Sequence, residues 1–178
     1  MRKKAEEKLS EHKCFTSVDG ADVNTTLPDK SVDYISVAQA FHWFDVEAFR
    51  KECKRILKTH GKVIIVYNSR DDQAACTKAL ADLRRKYHSG FQGFSNGISD
   101  EKCRAFFDGG CKIFRTDNSQ IYDRQGYVDR ALSSSYSLRE SDDGFADYLK
   151  EINKIFDTFA VSGKLTVPTF TVAYIGNL

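Results

Sequence analysis

Two short stretches near the start of the chain place small side chains beside groups that can bind a polar ligand. The first is Gly20-Ala21-Asp22, and the second is Ala38-Gln39-Ala40, with His42 and Trp43 soon after it. A carboxylate such as that of Asp22 only accepts hydrogen bonds, so it suits a ligand amine that only donates them. Alanines let a ligand approach the backbone closely. Asp22 could instead form a turn within its own loop, and the two aromatic residues could cap the helix that follows.

The elements around both stretches predict an α/β fold. Phe15–Val18 and the β-branched segment Val32–Val37 are predicted strands. A helix with Asp45 as its N-cap follows and ends in basic residues just before Gly61. Lys62–Tyr67 is a continuous apolar run, which is typical of a strand covered on both faces. Because ligands sit at the carboxyl ends of strands in such folds, we expect the two stretches to line one site.

Apolar periodicity and turn residues predict further helices and strands along the chain. Phe145–Phe159 carries the strongest apolar stripe, which we expect to cover one face of the sheet. Pro168 interrupts the last predicted strand and suits a bulge or an unpaired position. The other predicted helices are 1–10, 71–87, 101–107 and 124–132, the other predicted strands are 112–116 and 165–174, and 89–97 is an irregular loop or lid.

Four segments together resemble the class I S-adenosylmethionine-dependent methyltransferases. The resemblance is closest to methyltransferase type 11 and trans-aconitate methyltransferase-like proteins, and it covers residues up to about 70. The segments that carry it are Gly20–Asp22, Leu27–Asp33, Ala38–Asp45 and the helix-to-strand passage Glu52–Gly61.

The resemblance implies a role for each stretch in binding S-adenosylmethionine. Asp22 would accept a hydrogen bond from the adenine amino group, and Ala21 would lie against the ring. Ala38, Gln39 and Ala40 would line the methionine end of the cofactor. His42 and Trp43 are then candidate substrate-binding residues. No residue is assigned a catalytic role, because the sulfonium is already electrophilic and many methyl transfers need only proximity and alignment.

The family pattern also includes a glycine-rich turn after its first strand and an acidic residue at the end of its second, and we find neither at a matching position. The resemblance therefore predicts an N-terminally truncated domain. We expect an α/β, Rossmann-like class I methyltransferase sandwich without its first strand-helix-strand unit and with a helical C-terminal insertion. Residues 1–178 would form this single partial domain, with a lid or substrate-side insertion over 89–160.

The absent strand has a consequence for the sheet edge. It would leave Val32–Val37 with an open edge, which favours pairing with a second chain or a collapse of Phe15–Val18 into the gap. We therefore expect a possible homo-oligomer joined through this edge.

The composition argues against two classes of binding partner, nucleic acids and membranes. Lysine and arginine number 27 against 25 acidic residues, a net charge of +2, which is too balanced to favour a nucleic-acid partner. No apolar run is long enough to span a membrane and no signal-like stretch is present, so we expect no membrane partner. The five cysteines lie far apart without zinc-like spacing. We expect free thiols that serve as small core residues, no metal, and a cytoplasmic protein.

The leading hypothesis is an S-adenosylmethionine-dependent methyltransferase that acts on a small-molecule methyl acceptor and binds its cofactor poorly. The alternative is a non-catalytic interaction module that uses its sheet for oligomerisation. Arg130 could pair with a carboxylate substrate through a bidentate bond, or it could be a surface arginine beside a polar helix end. Arg84-Arg85-Lys86 is predicted to be a solvated helix face.

Overall fold

The computed structural model describes residues 2–94, 99–108 and 110–178. Within them six helices and six strands follow one another, with a short 3-10 helix at Phe41–Trp43. The helices are α1 (Arg2–Leu9), α2 (Val46–Ile56), α3 (Ala75–Tyr87), α4 (Asp100–Ala105), α5 (Arg124–Leu132) and α6 (Phe145–Phe159). The strands are β1 (Val32–Ala38), β2 (Leu57–Arg70), β3 (Cys111–Asp117), β4 (Gln120–Tyr122), β5 (Leu165–Val167) and β6 (Thr169–Gly176).

Four of the strands form the main sheet in the order β1-β2-β6-β3. β1 and β2 are parallel and are joined by α2, whereas β6 runs antiparallel to both β2 and β3. β4 and β5 form a separate antiparallel pair. The α/β architecture predicted from the sequence is confirmed, and β1 is an edge strand of the sheet among the described residues.

The start of α2 agrees with its sequence, but its end does not. Asp45 caps the helix by accepting a hydrogen bond from the Ala48 amide at 3.0 Å. The helix ends at Ile56, earlier than predicted, because the chain from Leu57 onward already pairs with β1. The register then shifts, so that Leu57 lies opposite Val32 and Lys62 opposite Tyr34, and the residues between them bulge.

A first hydrophobic core joins the main sheet to α2 and α4. Val63 and Ile65 of β2 are fully buried beside Cys53 of α2. The Phe106 ring lies at its centre, 5.1 Å from the Phe41 ring and 5.6 Å from the Phe49 ring. These aromatic contacts fix the segment just after β1 against α2.

A second core contains α6, and this corrects one prediction. The apolar stripe of α6 does not cover the main sheet. Tyr148, Ile152 and Phe156 are buried instead against α3, α5 and the short β5. Pro168 lies where the chain passes from β5 to β6, so the expectation that this proline is unsuited to a continuous ladder is confirmed.

The segment Phe15–Val18 was predicted to be a strand and is not one. It pairs with no described strand, so the backbone ladder that a strand requires is missing there. Side-chain contacts tie the segment to α1 instead, from Ser17 to Glu6 and from Arg2 to Asp19. The alternative in which Phe15–Val18 fills the gap beside β1 is therefore not what the structure shows.

Two further expectations are met in part. Cys53, Cys76 and Cys103 are buried, but Cys14 is exposed. Residues 89–94 form neither helix nor strand, as predicted for the 89–97 loop, whereas 95–97 lie outside the described residues.

β3 lies within the predicted insertion range 89–160, and yet it belongs to the main sheet. No described helix has both the length and the apolar character that crossing a membrane requires.

Candidate functional site

The turn after β1 separates two cavities. Ala38 is the last β1 residue paired with β2, opposite Val66. Gln39 then adopts a left-handed backbone conformation with φ of 55°, and its amide donates to the Val66 carbonyl at 3.0 Å. Ala38 and Ala40 line one cavity, whereas Gln39 lines the other. Because these three successive residues alternate between the two cavities, both cavities lie at the carboxyl end of β1. Ligands bind at this end of the strands in open α/β sheets.

The first cavity, which we call the alanine cavity, has a volume of about 510 Å³. Ala21 and Asp22 line it from one side, and Ala38 and Ala40 from the other. Its wall also includes the apolar side chains Leu27, Ile35, Val37, Phe44 and Phe49. Four of the five residues predicted to bind the cofactor are therefore brought together here, and the volume is in the range of small-molecule sites.

The Asp22 carboxylate is available to a ligand. The turn beneath it is closed by backbone bonds between Ala21 and Asn24, at 2.9 and 3.1 Å. No hydrogen bond from another described residue reaches the Asp22 side chain, which is half-buried and lines the cavity. Asp22 does lie within this turn, as the alternative predicted, but its carboxylate forms no hydrogen bond there, so a ligand-binding role stays a prediction.

Glu52 of α2 anchors the loop that carries Asp22. Its carboxylate accepts hydrogen bonds from the Thr25 amide at 2.8 Å and from the Thr25 hydroxyl at 2.6 Å. Arg55 donates to both of its oxygens, at 2.8 and 2.7 Å. The hydrogen bonds from Arg55 and Thr25 lower the pKa of Glu52 to about 2, so it is ionised at neutral pH.

The second cavity, which we call the arginine cavity, has a volume of about 490 Å³. Arg130, the predicted substrate-binding arginine, lines it together with Arg70 and Arg84. Gln39 also lines this cavity rather than the alanine cavity, and its side-chain amide donates to the Asn68 carbonyl at 3.2 Å. The wall also includes the aromatic residues Phe91, Phe94, Tyr122 and Tyr136 and the hydroxyl-bearing residues Ser134, Ser135 and Thr169.

Arg84 corrects the prediction that Arg84-Arg85-Lys86 is a solvated helix face. Its side chain is buried, with 3% of its surface exposed, whereas Arg85 and Lys86 are exposed. One terminal nitrogen donates to the Ala131 carbonyl at 3.3 Å, and the buried Nε has no partner among the described residues. Burial is the main cause that lowers the pKa of Arg84.

His42 and Trp43 lie on the 3-10 helix beyond the turn, and neither lines the two cavities. The His42 ring is half-buried, 4.7 Å from the Trp43 ring and 6.2 Å from the Tyr67 ring, and its burial lowers its pKa. Trp43 is 79% exposed. A substrate-binding role for this pair remains a prediction.

Sequence reasoning missed Asn68 and Arg70, and the signal for them was present. Asn68 follows directly after the apolar run of β2 and Arg70 lies two residues further along, both within β2 and at the same sheet edge as the turn after β1. Polar residues at the carboxyl end of a core strand are candidates for ligand binding. Among residues 2–94, 99–108 and 110–178, no group of three His, Cys, Asp or Glu side chains could hold a metal ion.

Comparison with known proteins shows which proteins this chain resembles. Residues 1–65 match the protein family described as methyltransferase domain. Over these residues the chain is similar to that methyltransferase family. An uncharacterised methyltransferase-like protein of Schizosaccharomyces pombe is 36% identical over 85 residues, which are 46% of this chain and 33% of the relative. A second S. pombe methyltransferase is 36% identical over 81 residues, 44% of this chain and 32% of the relative. The matched part thus spans about a third of these relatives.

Solved structures extend the agreement to the fold of nearly the whole chain. A Bacillus halodurans protein described as a methyltransferase covers 98% of this chain, with a TM-score of 0.55 and 13% identity, over 77% of its own length. A protein described as a type II methyltransferase, from Anaeromyxobacter dehalogenans, covers 94% with a TM-score of 0.57 and 17% identity, over 73% of its own length. The predicted class I methyltransferase fold is confirmed.

Proposed function

We propose that this methyltransferase-fold chain carries the adenine-facing and methionine-facing part of an S-adenosylmethionine site, and that the family reaction is methyl transfer to a small molecule. One observation carries the proposal. Two cavities of similar size adjoin at the turn after β1, with Ala38 and Ala40 on one side and Gln39 on the other. A donor and an acceptor bound in them would approach each other at this turn, and alignment of this kind is what methyl transfer requires.

The residues of the alanine cavity fit the cofactor. The unpaired Asp22 carboxylate suits the exocyclic amine of adenine, and the side chains of Ala21 and Leu27 offer apolar contact to a flat ring. Ala38 and Ala40 leave room for the methionine end. When bound, S-adenosylmethionine supplies a methyl group on an electrophilic sulfonium, so the protein's own contribution is binding and orientation.

We further propose that this chain binds the cofactor weakly. Among the described residues no strand pairs with the outer edge of β1, and no glycine-rich turn faces the alanine cavity to hold the rest of the cofactor. The remaining contacts are one carboxylate and a set of small and apolar side chains. A dissociation constant in the low micromolar range for S-adenosylhomocysteine would contradict weak binding.

Filling the alanine cavity tests the proposal. We expect Ala38→Leu to abolish the measurable binding of S-adenosylhomocysteine in isothermal titration, because the larger side chain occupies the cavity at the end of β1. Ala75→Leu, at the exposed start of α3 and outside both cavities, is the matched control and should bind as the parent chain does. Equal binding by both variants would contradict the assignment of the cavity.

A second role is favoured by the open edge of the sheet. The outer edge of β1 is unpaired among the described residues, and Tyr34 on this strand is 67% exposed. Unpaired strand edges recruit other strands because their backbone donors and acceptors are free. We propose that two copies of this chain associate through or near β1, whether or not the chain transfers methyl groups.

A further inference from the structure

The arginine cavity concentrates positive charge without a matching negative charge. Arg70, Arg84 and Arg130 line it, and no lining residue is Asp or Glu. None of the three forms an ion pair within the described part of the chain, and positions 1, 95–98 and 109 hold no acidic residue in the sequence. The charge of this cavity therefore has no internal counterion.

Burial and neighbouring positive charge lower the pKa values of two of these arginines, Arg70 and Arg84. Burial, and secondarily the charges of Arg130 and Arg84, lower the pKa of Arg70 to about 10. Arg84 is 3% exposed, lines the cavity, and leaves its Nε without a partner. A buried guanidinium without an anion destabilises a fold, so a site that keeps one is suited to an anion from outside.

Two phenylalanines contact the guanidinium groups of Arg70 and Arg84. The Arg70 guanidinium carbon lies 4.5 Å from the Phe94 ring centre, and that of Arg84 lies 5.0 Å from Phe94 and 5.6 Å from Phe91. Cation–π contacts of this kind do not occupy the N–H groups of a guanidinium, which keep their edges for hydrogen bonds. Those edges are the groups that bind carboxylate or phosphate oxygens in pairs.

We propose that the arginine cavity binds a small molecule that carries at least two oxyanionic groups. A single charge would leave two of the three arginines uncompensated, whereas two or three charges fit within about 490 Å³. The assignment of this ligand as the methyl acceptor rests on the proposed function. The anion site itself stands on the three arginines and is tested without cofactor.

The test is isothermal titration of the full chain at low ionic strength, with citrate and pyrophosphate as probes and trimethyl citrate as the uncharged control. We expect saturable binding of citrate, pyrophosphate or both, and none of the ester. Citrate binding alone would assign carboxylates, and pyrophosphate binding alone would assign phosphates. No binding of either anion, or equal binding of the ester, would overturn the proposal.

Matched pairs of variants locate the site. Arg84→Gln and Arg130→Gln should weaken anion binding about tenfold or more, because each removes a charged bidentate donor. Arg85→Gln on α3 and Arg124→Gln on α5 remove exposed arginines that pair with Asp82 and Asp157, and binding should be unchanged. Arg130 is exposed, so its variant keeps the test valid where Arg84→Gln fails to fold. Equal losses in all four variants would show a general surface charge effect and overturn the proposal.

The anion site and the cofactor site can be contradicted independently of each other. Anion binding without S-adenosylhomocysteine binding would leave the anion site intact and contradict the proposed cofactor site. The reverse result would contradict the anion site alone.

Discussion

At the scale of single residues, Glu52 connects α2 to the ligand-facing loop. It is a buried carboxylate, and its partners Thr25 and Arg55 lie on the loop and on α2. Hydrogen bonds to a charged acceptor are among the stronger ones in proteins, so this residue fixes where Asp22 lies relative to β1.

We expect Glu52→Gln to lower the free energy of unfolding by about 1–3 kcal/mol, since charged hydrogen bonds are lost in a buried place. The effect depends on pH. The pKa of Glu52 is lowered to about 2 from an ordinary 4.5, so its contribution is complete above about pH 4.5 and is lost as the pH falls toward 2. Urea unfolding between about pH 7 and about pH 3 should show a steeper loss for the parent chain than for the variant.

Glu47→Gln is the control for this measurement, because Glu47 is exposed in the first turn of the same helix. It should unfold as the parent chain does at each pH. An unchanged stability of Glu52→Gln would contradict the anchoring role.

The residues of the site differ in how far the sequence could predict them. Asp22 and the alanines were predicted because their pattern is local and matches a known family. Arg84 was not predicted, although it lies four residues after the buried Leu80 and so on the same face of α3. Its charge suggested solvent, and only the fold reveals a cavity there. Arg70 required knowledge that β2 extends beyond the apolar run.

At the scale of elements, the apolar stripe of α6 predicted which face of the helix is buried but not which elements cover that face. The stripe predicted that one face of the helix is buried, and Ile152 and Phe156 are buried. It did not determine the partner, because α3, α5 and β5 are distant in sequence or short. The same applies to Leu57–Gly61, where strand pairing with β1 overrode the predicted helix.

We expect Phe156→Ala to lower the free energy of unfolding by about 3–5 kcal/mol, because this ring is 2% exposed within the second core. Thermal unfolding followed by circular dichroism measures the effect. Val161→Ala, just beyond α6 and 77% exposed, is the matched control and should have almost no effect. An unshifted melting temperature for Phe156→Ala would show that the second core does not hold the fold together.

At the scale of the whole molecule, the sheet order follows from both local and distant pairings. The parallel pair β1 and β2 was predictable, because a strand, a helix and a strand in succession form a crossover unit. The position of β6 between β2 and β3 was not, since β6 comes from the end of the chain. β1 is left at the edge of this sheet, where an apolar strand favours association.

We expect light scattering across a concentration series to show an increase in mean mass toward a dimer, because no described strand pairs with the outer edge of β1. Ser36→Pro places a proline, which has no N–H group, within β1 and should weaken this association if the fold is retained. A monodisperse monomer at high concentration would contradict association through this edge.

We propose that the alanine cavity binds the adenosine end of S-adenosylmethionine through Asp22. The direct measurement is isothermal titration of S-adenosylhomocysteine against the parent chain, Asp22→Ala and Asp33→Ala. Asp33 is an exposed aspartate of β1 that pairs with Lys58 at 2.8 Å and lines neither of these two cavities, so it is the matched control. We predict that Asp22→Ala weakens binding by about 1–3 kcal/mol while Asp33→Ala leaves it unchanged. Equal affinity of Asp22→Ala and the parent chain, with the fold intact, would contradict the claim.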